Sequence, residues 1–161
     1  MRNSVIQAID ILIVEDNPGD ARLIKEVLND NKIFTSLHIV KDGVEAMEFL
    51  LNKGKFKSAP RPDLIILDLN LPRKDGREVL SEIKTNDDLM HIPIVVMTIS
   101  QAEEDILKSY NLHANCFITK PIDLDQFIKV IKSIEDFWFS IVKLPPKSGD
   151  VNNKSDPASL N

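Results

Sequence analysis

The chain has 161 residues, 43% hydrophobic and 28% charged, which are the values of an ordinary globular domain and exclude bulk disorder. Its net charge of −5 excludes a nucleic-acid binder working through a basic surface, and its single cysteine, Cys116, excludes an intramolecular disulfide and any CxxC zinc or redox site. No stretch approaches the ~18 apolar residues of a membrane span and Met1 to Val5 lack an apolar h-region, so the expectation is a cytoplasmic protein with no membrane or nucleic-acid partner.

Ile9 to Val14 is an apolar strand broken only by Asp10, and it ends in Glu15-Asp16. Asn17-Pro18 fits an N-cap followed by proline at the first helical position. Ala21, Ile24, Val27 and Leu28 then recur at helical spacing until Asn29-Asp30-Asn31 stops the run. Leu37 to Val40 gives a second strand, and Asp42 with Glu45 forms a capping-box pattern for a helix carrying Val44, Met47, Leu50 and Leu51. The segment 52–62, with Lys53, Lys55, Lys57 and Arg61 among glycine and proline, reads as a solvated connector, contact with an acidic partner being the alternative.

Leu64 to Leu67 is a continuous apolar run that ends abruptly in Asp68, as expected of a strand buried on both faces of a parallel sheet. Taken alone, Asp68 reads as a turn cap. Asp75-Gly76-Arg77-Glu78 repeats the capping pattern before a helix with Val79, Leu80 and Ile83; Ile92 to Met97 is a fourth strand with Thr98 at its end. Ser100 and Glu103 would cap a helix running through Ile106, Leu107 and Tyr110. Asn115 to Ile118 is a fifth strand, followed by Thr119-Lys120-Pro121, and Asp123 can cap a last helix reaching about Val142. That helix is apolar on two stripes, Leu124, Ile128, Ile131 and Trp138 on one, Phe127, Val130, Ile134, Phe137 and Ile141 on the other. One stripe suffices for docking, so either a partner or dimer mate covers the second, or Phe137, Trp138 and Phe139 fold back on the domain. Five strand-helix alternations give an α/β domain over residues 1–143 with a parallel sheet covered on both faces, and the Pro145-Pro146 segment and polar residues of 144–161 read as a disordered tail.

Parallel strands point their carboxyl ends the same way, so Glu15-Asp16, Asp68, Thr98 and Lys120 fall on one sheet edge, where open α/β sheets bind ligands. Three crowded carboxylates repel one another unless a cation neutralises them, and an all-oxygen donor set favours Mg²⁺. Lys120 adds a charge for a phosphoryl group and Thr98 a hydroxyl, which together make a phosphoryl-transfer site. Asp68, from the most buried run, is the candidate nucleophile. Asn70 can offer its backbone carbonyl to the metal, while its neutral amide cannot act as acid or base, so an acyl-phosphate on Asp68 is expected to hydrolyse slowly.

Val14-Glu15-Asp16-Asn17, Leu67 to Pro72 with Asp75-Gly76, Val96-Met97-Thr98 and Thr119-Lys120-Pro121 resemble the motifs of the receiver domain of two-component response regulators, over about Ile9 to Val142. The resemblance implies a flavodoxin-like (βα)5 fold with sheet order 2-1-3-4-5. It implies Asp68 as phosphoacceptor, Asp16 and the Asn70 carbonyl as direct Mg²⁺ ligands, Glu15 as a ligand through water, and Thr98 with Lys120 as the switch pair. Asn17-Pro18-Gly19-Asp20, Pro60-Arg61-Pro62-Asp63 and the Phe137-Trp138 ending are similar to the narrower group of stand-alone regulators paired with phytochrome-type histidine kinases. That implies such a kinase as partner and a homodimer through the last helix. Phe117 at the aromatic switch position lacks a hydroxyl, Ile99 is bulkier than the small residue often found there, and the Lys120-Pro121 bond is expected to be cis.

Two other readings compete with a non-enzymatic phosphoacceptor. An Asp-nucleophile phosphohydrolase of the haloacid-dehalogenase type would need a second acid two residues after Asp68, where Asn70 stands. A receiver-like module acting without phosphorylation leaves Glu15, Asp16, Thr98 and Lys120 without a role. Neither GxGxxG nor GxxxxGK[ST] occurs, which speaks against a nucleotide enzyme.

Overall fold

The computed structural model describes residues 9–29, 35–98, 102, 105 and 116–140. The elements in chain order are β1 (Ile9–Val14), α1 (Pro18–Asn29), β2 (Thr35–Val40), α2 (Gly43–Leu50), β3 (Leu64–Asp68), α3 (Gly76–Lys84), β4 (Ile94–Thr98), β5 (Cys116–Thr119) and α4 (Leu124–Ser140). All strand pairs are parallel and the sheet order is β2-β1-β3-β4-β5, the flavodoxin-like arrangement expected. In this order the chain steps outward from β1 to β2 and then returns to the other side with β3. The carboxyl ends of β1 and β3 therefore flank the point where the winding reverses, which is where a crevice opens.

Why apolar residues point to both faces of the central strands follows from the two cores. Leu12 and Val14 of β1, Ile65 and Leu67 of β3, and Ile94 and Val96 of β4 pack with α2 and α3. Their alternates Ile11, Ile13, Leu64, Ile66, Val95 and Met97 pack with Ile24, Val27 and Leu28 of α1 and Phe127 and Ile131 of α4. With a period of two and a helical layer on each face, the apolar positions of these strands are all closed to water. All five residues of β3 are buried, Asp68 included.

The helix starts follow the caps. Asn17 Oδ1 accepts from the Asp20 N–H at 3.0 Å, and Asp123 Oδ1 from the Gln126 N–H at 3.3 Å. At α3 the capping box is complete, with Asp75 and Glu78 each taking an N–H of the other's turn. At α2 it is half complete: Asp42 Oδ1 accepts from the Glu45 N–H at 2.8 Å, but the Glu45 carboxylate reaches one residue further back, to the Lys41 N–H at 3.0 Å.

The structure differs from the sequence reading in several places. β2 begins at Thr35 and β4 at Ile94, because the ladder with neighbouring strands, not the apolar run, sets where a strand starts. The segment 52–62 is not wholly a solvated connector: it holds a 3-10 turn, Gly54–Phe56, and Phe56 packs against the core under α2. In α4, Ile131 is buried beside Phe127, four residues before it, whereas Leu124 and Ile128 are exposed, so Ile131 belongs to the docking stripe. The side chains of 134–140 and the tail at 144–161 lie outside the described residues. So does the helix expected from Ser100 to Tyr110, except for Ala102 and Asp105, which are helical.

Candidate functional site

Asp68 closes β3 with its side chain 2% exposed, and the turn after it holds the carboxylate in place. The Asn70 N–H donates to Asp68 Oδ1 at 2.9 Å, and the Leu69 N–H continues the ladder to the Met97 carbonyl at 3.1 Å. Gly76 packs on the backbone of this turn: a Cβ there would overlap the Asp68 carbonyl oxygen and the Leu69 Cα, so only glycine lets α3 start so close to the strand end.

Lys120, just past β5, reaches back across the crevice. Its Nζ lies 2.9 Å from Asp68 Oδ2, 2.9 Å from Glu15 Oε1 and 3.2 Å from Asp20 Oδ2. The Lys120-Pro121 peptide is cis, as expected. Glu15 is buried at the end of β1, its N–H held by the Val40 carbonyl and its Oε2 accepting from the Asn17 N–H at 3.0 Å. Its other oxygen, Oε1, has the Lys120 ion pair but no hydrogen bond of sound geometry. Burial pushes the Glu15 carboxyl up to about 7; the Asn17 N–H and Lys120 pull it down, and the charge of Asp68 adds to the rise. Burial alone would lower the Lys120 ammonium, but its close pairing with the Glu15 and Asp68 carboxylates prevails and holds it above the usual lysine range.

Asp16 is exposed at the mouth of the crevice. One carboxylate oxygen from each of Glu15, Asp16 and Asp68 lies within 4.8 Å of the other two. Oxygen-only donors, a surplus of negative charge and a buried, under-satisfied Glu15 Oε1 suit a hard divalent cation. Asn70 is exposed beside Asp68. Thr98 ends β4 in register with Thr119, on the same sheet edge, but its side chain and all of Ile99 lie outside the described residues. Phe117 is half-buried against the core beneath α2 and α3.

The sequence reading missed Asp20, which the structure brings to Lys120. A signal was available: with Asn17 as the cap, Asp20 is the third residue of α1, and the first turn of a helix entered from β1 stands over the strand end. Three acids thus share one ammonium, which leaves the crevice with a surplus of negative charge.

A doubly wound parallel sheet with these groups at its switch point defines a class, and the comparisons agree: residues 11–132 match the response regulator receiver domain, and the chain belongs to that family. Within it, the chain is 52% identical to response regulator Rcp1 of Synechocystis sp. over 135 residues, 84% of this chain and 92% of that protein. The phosphorylated cyanobacterial phytochrome response regulator RcpA matches with a TM-score of 0.75 at 49% identity, covering 87% of this chain and 100% of that one. The Mn²⁺-bound form of Rcp1 matches at 0.73 and 51% identity, covering 86% and 99%. The chain therefore resembles the phytochrome-associated response regulators in particular. No helix among the described residues is long and apolar enough to cross a membrane.

Proposed function

We propose that this receiver accepts a phosphoryl group on Asp68 from the phosphohistidine of a histidine kinase, of the phytochrome type, and passes the signal on by protein contacts. The observation that carries the reading is the convergence on Asp68: a rigid buried strand end, Lys120 at 2.9 Å, and Glu15 and Asp16 within shared ligand distance. In the reaction an Asp68 carboxylate oxygen bonds to phosphorus as the phosphorus-nitrogen bond to the kinase histidine breaks, and the histidine nitrogen leaves with the electron pair.

A divalent cation, Mg²⁺ in this reading, would neutralise charge on the phosphoryl oxygens, held by Asp16, Asp68 and the Asn70 carbonyl, with Glu15 acting through water. The phosphorylated RcpA and Mn²⁺-bound Rcp1 structures support this by likeness. Lys120 now sits on Asp68 Oδ2 and has to pass to a phosphoryl oxygen; Glu15 and Asp20 keep hold of it meanwhile. Thr98, ending the strand next to β3, supplies a hydroxyl to the same group, and Phe117 repacks in response, through packing alone since it has no hydroxyl. Asn70 stands where a phosphohydrolase would place its acid, and its amide moves no protons, so the protein is a phosphoacceptor with slow autodephosphorylation and not a turnover enzyme. Exposed Leu124 and Ile128 on α4 suit a homodimer through the last helix, and a cytoplasmic location completes the reading.

Incubation with Mg²⁺ and acetyl phosphate tests the core of this. Wild type should gain an acid-labile, base-sensitive adduct of one phosphoryl mass, and Asp68→Asn should gain none. An adduct that persists in Asp68→Asn, or multiple turnover of small phosphoesters, would sink the reading.

A further inference from the structure

A groove of about 430 Å³ lies between β2, the carboxyl half of α2 and the segment that follows it, and none of its lining residues belongs to the acidic crevice. His38, Phe49 and Phe56 form its aromatic wall: the Phe49 ring tilts against both of the others with centroids 5.3 Å apart. Phe49 is itself buried and His38 and Phe56 are half-buried, so the wall is set in from the surface. On the other side runs β2, the end strand of the sheet, which among the described residues pairs with β1 alone and leaves its second edge without a strand. Ile39 on this strand is 40% exposed. An end strand with an open edge and an apolar recess beside it is the geometry by which sheets take up an extended segment.

Charge chooses the kind of segment. Residues 53–61 carry Lys53, Lys55, Lys57 and Arg61 and no acid, in a chain of net charge −5. All four cations are exposed. Lys55 is drawn to Glu45 at 3.1 Å and lies 5.3 Å over the Phe56 ring, and Arg61 donates to the Asp88 carbonyl. The Lys53 and Lys57 side chains have no partner among the described residues. From these observations we infer that the groove docks an extended acidic segment of a partner protein, added along β2 with an apolar or aromatic side chain seated against Phe49 and Phe56. A small ligand would be enclosed on most sides, which a groove along an open strand edge does not do. A membrane surface calls for protruding apolar groups, and here the rings are set back.

Titration of a fluorescein-labelled synthetic peptide alternating glutamate with isoleucine and tryptophan, followed by anisotropy on the full chain, tests this. Saturable binding is expected, weakened by salt, with the lysine-for-glutamate peptide binding about tenfold more weakly or worse. The double variant Lys53→Glu/Lys57→Glu alters exposed groups only and should lose affinity by about the same factor while its unfolding curve stays unchanged. Amide shift changes should cluster over residues 35–60. Absent saturation, equal binding by the double variant, shift changes centred on α4, or binding to phosphatidylserine vesicles in place of the peptide would each overturn the inference. So would a self-association by light scattering that the double variant abolishes, since the occupant would then be a second copy.

Discussion

Asp68 and Asp42 are both buried acids at the carboxyl side of the same sheet, and they are supplied with partners in opposite ways. Asp42 caps α2 through Oδ1 and pairs with Arg73 through Oδ2 at 3.0 Å, one donor for each oxygen. Around it the pattern repeats: Asp75 has Arg77, Glu45 has Lys55, and Lys74 has Glu82. In the crevice, Glu15, Asp20 and Asp68 divide a single Lys120, and one Glu15 oxygen has no hydrogen bond. Where acids serve the fold, partners are matched one to one; in the crevice, where the proposed function places a ligand, they are left in excess. The excess costs stability in the free protein, and a bound cation would relieve it.

Removing the shared cation should have the largest effect. Lys120→Met leaves two buried carboxylates facing each other, and a loss of about 3 kcal/mol is expected in urea unfolding with chelator present, part of it recovered as Glu15 takes up a proton. Lys55→Met breaks a pair whose lysine is 68% exposed and should cost about 0.5 kcal/mol or less. Equal costs for the two would mean that the crevice and the surface pairs are built alike, and the comparison would fail.

A smaller change, of the opposite sign, is expected from Glu15→Gln. The folded pKa of Glu15 is about 7 against 4.5 for the ordinary group. Between these values the folded protein holds a proton that the unfolded chain has released. The stabilisation that this proton carries is complete below 4.5 and is lost as the pH rises through 7. In metal-free buffer, wild type should therefore weaken between mildly acidic and mildly alkaline pH. Glu15→Gln should not, ending roughly 1–2 kcal/mol the more stable at the alkaline end. A flat wild-type profile over that window would show that Lys120 already satisfies Glu15 in full.

How far this contrast was legible in the sequence depends on the range of the interaction. β3, α3 and the alternation of strands and helices follow from apolar runs and caps that sit within a few residues of each other, and Glu15, Asp16, Asp68 and Lys120 converge by topology alone, because parallel strands share one carboxyl edge. Asp20 was missed because its partner is 100 residues away and its own neighbourhood reads as an ordinary helix start. The stripe of α4 was misdivided at Ile131 because only packing beneath β5 shows which of two apolar faces is turned inward. The 53–61 segment looked like a connector because Lys, Gly and Pro dominate it, and a lone Phe56 gives no sign that it completes a three-ring wall.

The smallest effect gives the contrast its second sign. The Lys41 N–H, and after it Lys55, hold the Glu45 carboxyl below the ordinary 4.5. A lowered acid stabilises the fold above its unfolded pKa and loses that contribution as the pH falls through the folded value, the reverse of Glu15. Because the group is near the surface, about 0.5 kcal/mol is at stake, read as the gap between wild type and Glu45→Gln at neutral pH closing on acidification. Matched acids such as Glu45 therefore erode stability on the acid side, while the crowded crevice erodes it on the alkaline side. With metal present the crevice branch should disappear and the acid branch remain, since a cation can relieve only the acids that lack partners of their own.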